Sequence, residues 1–298
     1  MLPLPALLAA CLGLALTACG PDASADPAAR VPSDPPTASV PAPGGAPASA
    51  PGPYRFDRPS VSFELPDALV EISGLTDLGD GTLGAVQDED GDLYVLSQET
   101  GEVVRVVPFG PPGDYEGVEL VGGRLFVLRA DGALLELTGW RGEAAQARTV
   151  ETGLGAKDCD AEGLGADGAR LLIACKKEGD DAYDNRNVVW AYDLDAGALS
   201  AEPVLVVDPD AVEGDRKLRP SALAVHPVTG RVVLLSSRRE SLVALDAEGR
   251  ASGVWDLGPA SFEQPEGLAF LPNGDVWVSS EGGDGPAVLA RFAYEPAE

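Results

Sequence analysis

A chain of 298 residues with a formal net charge of -27 has the length of one large all-β domain and lacks the basic face needed to hold nucleic acid or anionic lipid by surface electrostatics. It has a single His and four Cys, with no Gly-x-Ser-x-Gly run and no Gly-rich phosphate loop, which argues against a zinc centre, a serine-hydrolase elbow and a nucleotide cradle. Its acidity either attracts cations or serves solubility.

Met1 to Ala18 is an apolar run, interrupted by Pro and too short for a comfortable membrane span, that ends in Leu16-Thr17-Ala18-Cys19-Gly20. This ending resembles the lipobox of bacterial lipoproteins, although no Lys or Arg precedes the apolar run. The resemblance implies a signal peptide over residues 1–18 and lipidation of Cys19. It also implies a membrane anchor in the cell envelope, at the periplasmic face of the outer membrane or at the cell surface. Residues 19–53 are rich in Pro, Ala, Ser and Gly, bury too little apolar surface to repay ordering, and are expected to form a disordered tether. A single domain is expected over residues 54–298.

From Tyr54 onward, short apolar runs alternate with Gly-containing turns. Tyr54 to Leu65 precedes a first meander of Glu71 to Leu75, Thr82 to Val86, Asp92 to Ser97 and Val103 to Val107. The step Ser73-Gly74-Leu75 returns as Glu116-Gly117-Val118, Glu162-Gly163-Leu164, Ser221-Ala222-Leu223 and Glu266-Gly267-Leu268. The period is about 45 residues with one longer interval, the length of a four-stranded propeller blade. The expected fold is therefore an all-β, five-bladed β-propeller. A sixth blade would have to lie between Glu162 and Ser221, where the polar insert Glu178 to Asn187 reads as a loop. The last unit ends one strand short at Phe292, so Tyr54 to Leu65 is expected to close the ring and protect its edge. Asp88-Glu89-Asp90-Gly91-Asp92 looks like part of a calcium loop, but it lacks the helical frame and the bidentate Glu and reads as an exposed hairpin. His226, before Pro227, is expected to be a structural surface residue.

In such a ring the first strand of each blade lines the channel. Ser73, Glu116, Glu162, Ser221 and Glu266 then converge on the axis, and Glu71, Asp114, Asp160, Arg219 and Gln264, two residues earlier, point the same way. Three Glu at one axis repel, and either a divalent cation or water with raised carboxyl pKa values would relieve the repulsion. Oxygen donors from Ser73, Glu116, Glu162, Ser221 and Glu266 suit calcium above magnesium. Equally, the Glu-Gly steps are read as structural turns whose carboxylates accept backbone N–H bonds. The same face is expected to receive the loops Ser97 to Glu99, Arg129 to Asp131, Lys176 to Glu178, Ser236 to Glu240 and Ser279 to Gly282. Lys176, Arg238, Arg239 and Glu281 thereby join Glu71, Asp114 and Asp160 as candidate ligand-binding residues.

Cys159 and Cys175 fall on neighbouring antiparallel runs and are expected to form a disulfide in an oxidising compartment. The order Ser, Glu, Glu, Ser, Glu at the strand starts, with the strand ends Cys175-Lys176-Lys177 and Ser279-Ser280-Glu281, resembles the SdiA-regulated domain family of bacterial envelope proteins over about residues 65 to 295. Ala222 departs from the Gly usual at its step. The resemblance implies a small β-propeller with calcium as its candidate ion and no established biochemical activity. The expected function is that of a monomeric, lipid-anchored module that binds a small-molecule ligand or an envelope protein at the channel face. The alternative is a calcium-dependent hydrolase of esters, lactones or phosphoesters with Glu116, Glu162 and Glu266 as bases.

Overall fold

The computed structural model describes residues 53–155, 159–178, 183, 186–208, 212, 217–258 and 262–296, all of which belong to one unit, Ala48–Glu298. The expected signal peptide, Cys19 and nearly all of the expected tether lie outside the described residues. The alternating aliphatic runs form twenty-one strands among the described residues, with one 3-10 turn at Asp67–Leu69 and no α-helix.

The strands group into five antiparallel sheets. After β1 (Val61–Glu64), blade 1 holds β2 (Ile72–Asp77), β3 (Thr82–Gln87), β4 (Asp92–Ser97) and β5 (Val103–Pro108). Blade 2 holds β6 (Tyr115–Val121), β7 (Arg124–Arg129), β8 (Leu134–Thr138) and β9 (Gln146–Val150). Blade 3 holds β10 (Cys159–Asp167), β11 (Arg170–Glu178) and β12 (Asn187–Asp193), with an outer edge split into β13 (Ala198–Leu199) and β14 (Leu205–Val207). Blade 4 is β15 (Pro220–Val225), β16 (Val232–Ser236), β17 (Ser241–Leu245) and β18 (Ala251–Asp256). Blade 5 is β19 (Pro265–Phe270), β20 (Val276–Ser280), β21 (Val288–Phe292) and the N-terminal β1. The long interval in the repeat is thus one blade with a divided outer strand. Asn187, which reads as part of the loop, opens β12.

Closure follows the expectation: β1 pairs antiparallel with β21 in the register Val61↔Arg291 to Glu64↔Val288. The inner strands β2, β6, β10, β15 and β19 pack in sequence, and β19 returns to β2. Five apolar clusters follow, each lying between two neighbouring blades. Trp277, Leu289 and Ala269 of blade 5 meet Leu75, Leu83 and Leu96 of blade 1, for example, and Val86 and Val95 meet Val118, Leu125 and Val127. The core is therefore the set of seams, and each blade is stabilised by burying both faces against its neighbours.

His226 corrects one expectation. It is 4% exposed rather than a surface residue, because the segment before β1 covers it. The Tyr54 hydroxyl donates to Gly274 O at 2.6 Å and accepts from His226 Nε2 at 2.8 Å, which leaves Nδ1 to accept the Val228 and Thr229 N–H groups. Burial lowers the His226 pKa. These contacts pin the N-terminal segment to the turns between first and second strands of blades 4 and 5.

Candidate functional site

The repeated step in the sequence is a repeated β-bulge. The registers run from Ile72 to Gly74, Tyr115 to Gly117, Ala161 to Gly163, Pro220 to Ala222 and Pro265 to Gly267, and they skip Ser73, Glu116, Glu162, Ser221 and Glu266. A bulged residue leaves the ladder and its side chain is re-aimed, here at the same end of every inner strand. The following Gly is required by the close approach of neighbouring blades. A Cβ on Gly117 would lie 2.8 Å from Leu164 Cβ, and one on Gly267 would lie 3.0 Å from Leu75 Cβ. Below the bulges Leu75, Val118, Leu164, Ala222 and Leu268 narrow the channel to a cavity of about 10 Å³, room for roughly one water or one ion.

The bulge residues have two roles. Ser73 Oγ donates to Tyr115 O at 2.5 Å and Ser221 Oγ donates to Pro265 O at 2.7 Å, so both hydroxyls stitch a blade to the next. Among the glutamates, Glu162 Oε1 accepts from Lys176 Nζ at 2.9 Å, while the Ser221 hydroxyl beside Glu266 tempers the rise of its pKa. Glu116 shares a hydrogen bond with Asp114.

The strand register defines a second ring. The residues paired across from the bulges are Gln87, Arg129, Cys175, Ser236 and Ser280, and the next residue in each blade is Asp88, Ala130, Lys176, Ser237 and Glu281. Lys176 and Glu281 stand where the sequence places them. In blade 1 the expectation fails, because Ser97 to Glu99 follows the third strand and lies at the opposite end. There Gln98 Nε2 donates to Asp77 Oδ1 at 2.9 Å. Asp88 takes the place at the mouth. The sequence did carry a signal for it, since Asp88 follows the second strand of its repeat as Lys176 and Glu281 follow theirs.

Burial dominates the electrostatics. It pushes Glu116 up to about 9, helped by Glu162 and by the bond with Asp114. It pushes Glu266 up to about 8 against the pull of Lys176, Glu281 up to about 7 with Asp88 adding to the rise, and Asp88 up to about 6 with Glu71 adding to it. Glu162 is raised by burial and held back by Lys176. Burial alone would lower Lys176, but Glu162, Glu266 and Glu116 raise it. Among the expected ligand-binding residues, Glu71, Asp114 and Asp160 therefore act on this cluster from its rim. Arg238 is exposed after β16, and Arg239 Nη1 donates to Val212 O at 3.5 Å.

The Cys159–Cys175 disulfide is present, with Cα atoms 5.2 Å apart, and ties β10 to β11 beside Glu162 and Lys176. Among the described residues no group of three or more His, Cys, Asp or Glu side chains is gathered to hold a metal ion as it stands. The mouth offers oxygen donors of the kind calcium takes, and its cavity is the size of one ion. The Lys176 ammonium, seated against Glu162, would share the ring with such an ion.

A family profile described as SdiA-regulated matches residues 60–292. No curated protein matches the chain in sequence. Among solved structures, the glutaminyl cyclase of Myxococcus xanthus is similar with a TM-score of 0.58 at 17% identity, covering 81% of this chain and 97% of that one. A protein of unknown function from Bacteroides thetaiotaomicron VPI-5482 is similar with a TM-score of 0.51 at 12% identity, covering 76% of this chain and 59% of that one. A luciferin-regenerating enzyme follows with a TM-score of 0.50 at 13% identity, over 78% and 95% of the two chains. At these identities the likeness is one of fold.

Proposed function

The chain belongs to the SdiA-regulated family, and from that footing we propose that it is a binding module of the cell envelope. In this reading it is a β-propeller lipoprotein, tethered through Cys19, whose acidic channel mouth takes a cation: calcium, or the cationic group of a small ligand or partner protein. The observation that carries this reading is the bulge ring. Glu116, Glu162 and Glu266 stand at the same end of their inner strands, Lys176 acts on all three, and burial drives their carboxyls toward the neutral form. Lys176 pairs with Glu162 alone, and the cost of burying the other two carboxyls is one that an arriving cation would offset.

Titration calorimetry and thermal melts of the mature chain carrying Cys19→Ser, near pH 8 with calcium chloride, test the proposal. The expected result is calcium binding that raises Tm and releases protons, with both effects lost in Glu266→Gln. If neither calcium nor a cationic peptide produces heat or a Tm shift, the mouth is not a cation site. The hydrolase reading rests on Glu281, whose carboxyl at about 7 is matched to proton transfer. Turnover of an ester, lactone or phosphoester, abolished by Glu281→Gln or Glu162→Gln in folded protein, would favour it.

A further inference from the structure

The axial channel has a second mouth, and its chemistry is unlike the first. Thr76, Glu119, Ala166, Ala224, Ala269 and Phe270, drawn from all five blades, wall a vestibule of about 270 Å³. The collar of Leu75, Val118, Leu164 and Leu268 separates it from the bulge ring. The charged residues lining it are Asp77 and Glu119. Asp77 already accepts from the Gly79 N–H at 3.1 Å and from Gln98 Nε2 at 2.9 Å. Glu119 has the Thr76 hydroxyl, whose oxygen also accepts the Leu120 N–H at 3.2 Å. Three residues beyond the bulges the other blades carry Thr76, Gly165, Ala224 and Ala269, so nothing in the strand geometry calls for a carboxyl at Glu119.

We infer that this vestibule binds a small primary ammonium compound with a hydrocarbon body, its cationic head paired with Glu119 and its alkyl part packed on Ala224, Ala269 and Phe270. The alternatives fit the walls less well. An anion would face two carboxyls, and a neutral guest would bring no charge to draw on the Glu119 carboxylate. A divalent ion would need more oxygen donors than these alkyl walls supply. Burial pushes Glu119 up to about 8, with Asp77 adding to the rise and Thr76 opposing it, so an arriving ammonium group displaces the carboxyl proton.

The test is calorimetric titration of the mature chain with cyclohexylamine near neutral pH, with cyclohexanol as the neutral isostere. The expected result is binding of the amine at least about tenfold tighter than the alcohol, weakened about tenfold or more by Glu119→Gln. Proton release should appear as a dependence of the heat on the buffer. Ala224→Leu, which fills the vestibule and keeps the carboxyl, should weaken binding as well, while Glu162→Gln at the other mouth should leave it within about twofold. Undiminished binding by folded Glu119→Gln, equal binding of cyclohexanol, or no binding at about 10 mM amine overturns the assignment. Loss in Glu162→Gln alone would place the amine at the acidic mouth, which overturns this inference while supporting the cation reading of that mouth.

Discussion

Glu116 shows how a single side chain couples the fold to protonation. Burial pushes its carboxyl from the ordinary 4.5 up to about 9, so over that interval the folded state holds a proton that the unfolded state has released. The stability this supplies is full below the unfolded value and is lost as pH rises through the folded one. Glu266 and Glu281 act in the same direction, up to about 8 and about 7. Asp131 and Glu136 behave oppositely, because Arg129 and Arg124 hold them below the usual carboxylate range, and they weaken the fold only beneath this window. The melting temperature of the calcium-free protein should therefore fall between about pH 7 and about pH 9, above the range in which the lowered pKa of His226 acts in the opposite direction. Glu116→Gln should flatten that slope and add about 2 kcal/mol near pH 8. A profile that is flat or rises across the interval, read by calorimetry in chelator, would mean that the carboxyls are solvated.

At the scale of the strand, the bulge and its glycine are one device. Gly267→Ala should cost about 1–3 kcal/mol, since the added methyl meets Leu75 Cβ of the next blade at 3.0 Å as well as Ser279 Oγ of its own at 2.1 Å, and Gly117→Ala should cost a similar amount at the seam with Leu164. Ala222→Gly removes a methyl that its seam already accepts and should cost less than about 1 kcal/mol, so a denaturant series on the three variants separates seam crowding from general glycine effects. Reducing the Cys159–Cys175 bond, which spans a sequence separation of 16, should cost about 3 kcal/mol and first loosen the β10 to β11 ladder. The blade count, the closing strand and the disulfide were legible because turn residues, glycines and cysteines mark them locally. The bulge was not, because it resides in hydrogen-bond register, to which side-chain identity is blind. Asp88 hid in an acidic turn, and Ser97 was assigned to the wrong end because β3 and β4 carry similar local patterns. His226 looks exposed until Tyr54, 172 residues away in sequence, is laid over it. Glu119 belongs to no repeat, and only the vestibule gives it meaning.

For the molecule as a whole, stability resides in five seams and one closure, so the ring is as strong as the join between its ends. β1 protects β21, and the Tyr54 hydroxyl latches the segment ahead of it to blades 4 and 5 through Gly274 and His226. Removing the chain through Glu64 should bare the β21 edge, lower Tm and produce soluble oligomers or aggregate detectable by light scattering. Tyr54→Phe is the milder lesion. It keeps the ring packed against Phe56, Trp255 and Tyr294 but strands the Gly274 carbonyl and His226 Nε2, at a cost of about 1–3 kcal/mol. The latch sits at one end of the inner strands and the bulge glutamates at the other, with the aliphatic collar between them. Calcium titration of Tyr54→Phe should therefore give the wild-type affinity at a lowered melting temperature. If affinity falls together with stability, the blades move as a unit when the latch loosens, and the acidic mouth is set by ring closure rather than by the bulges alone.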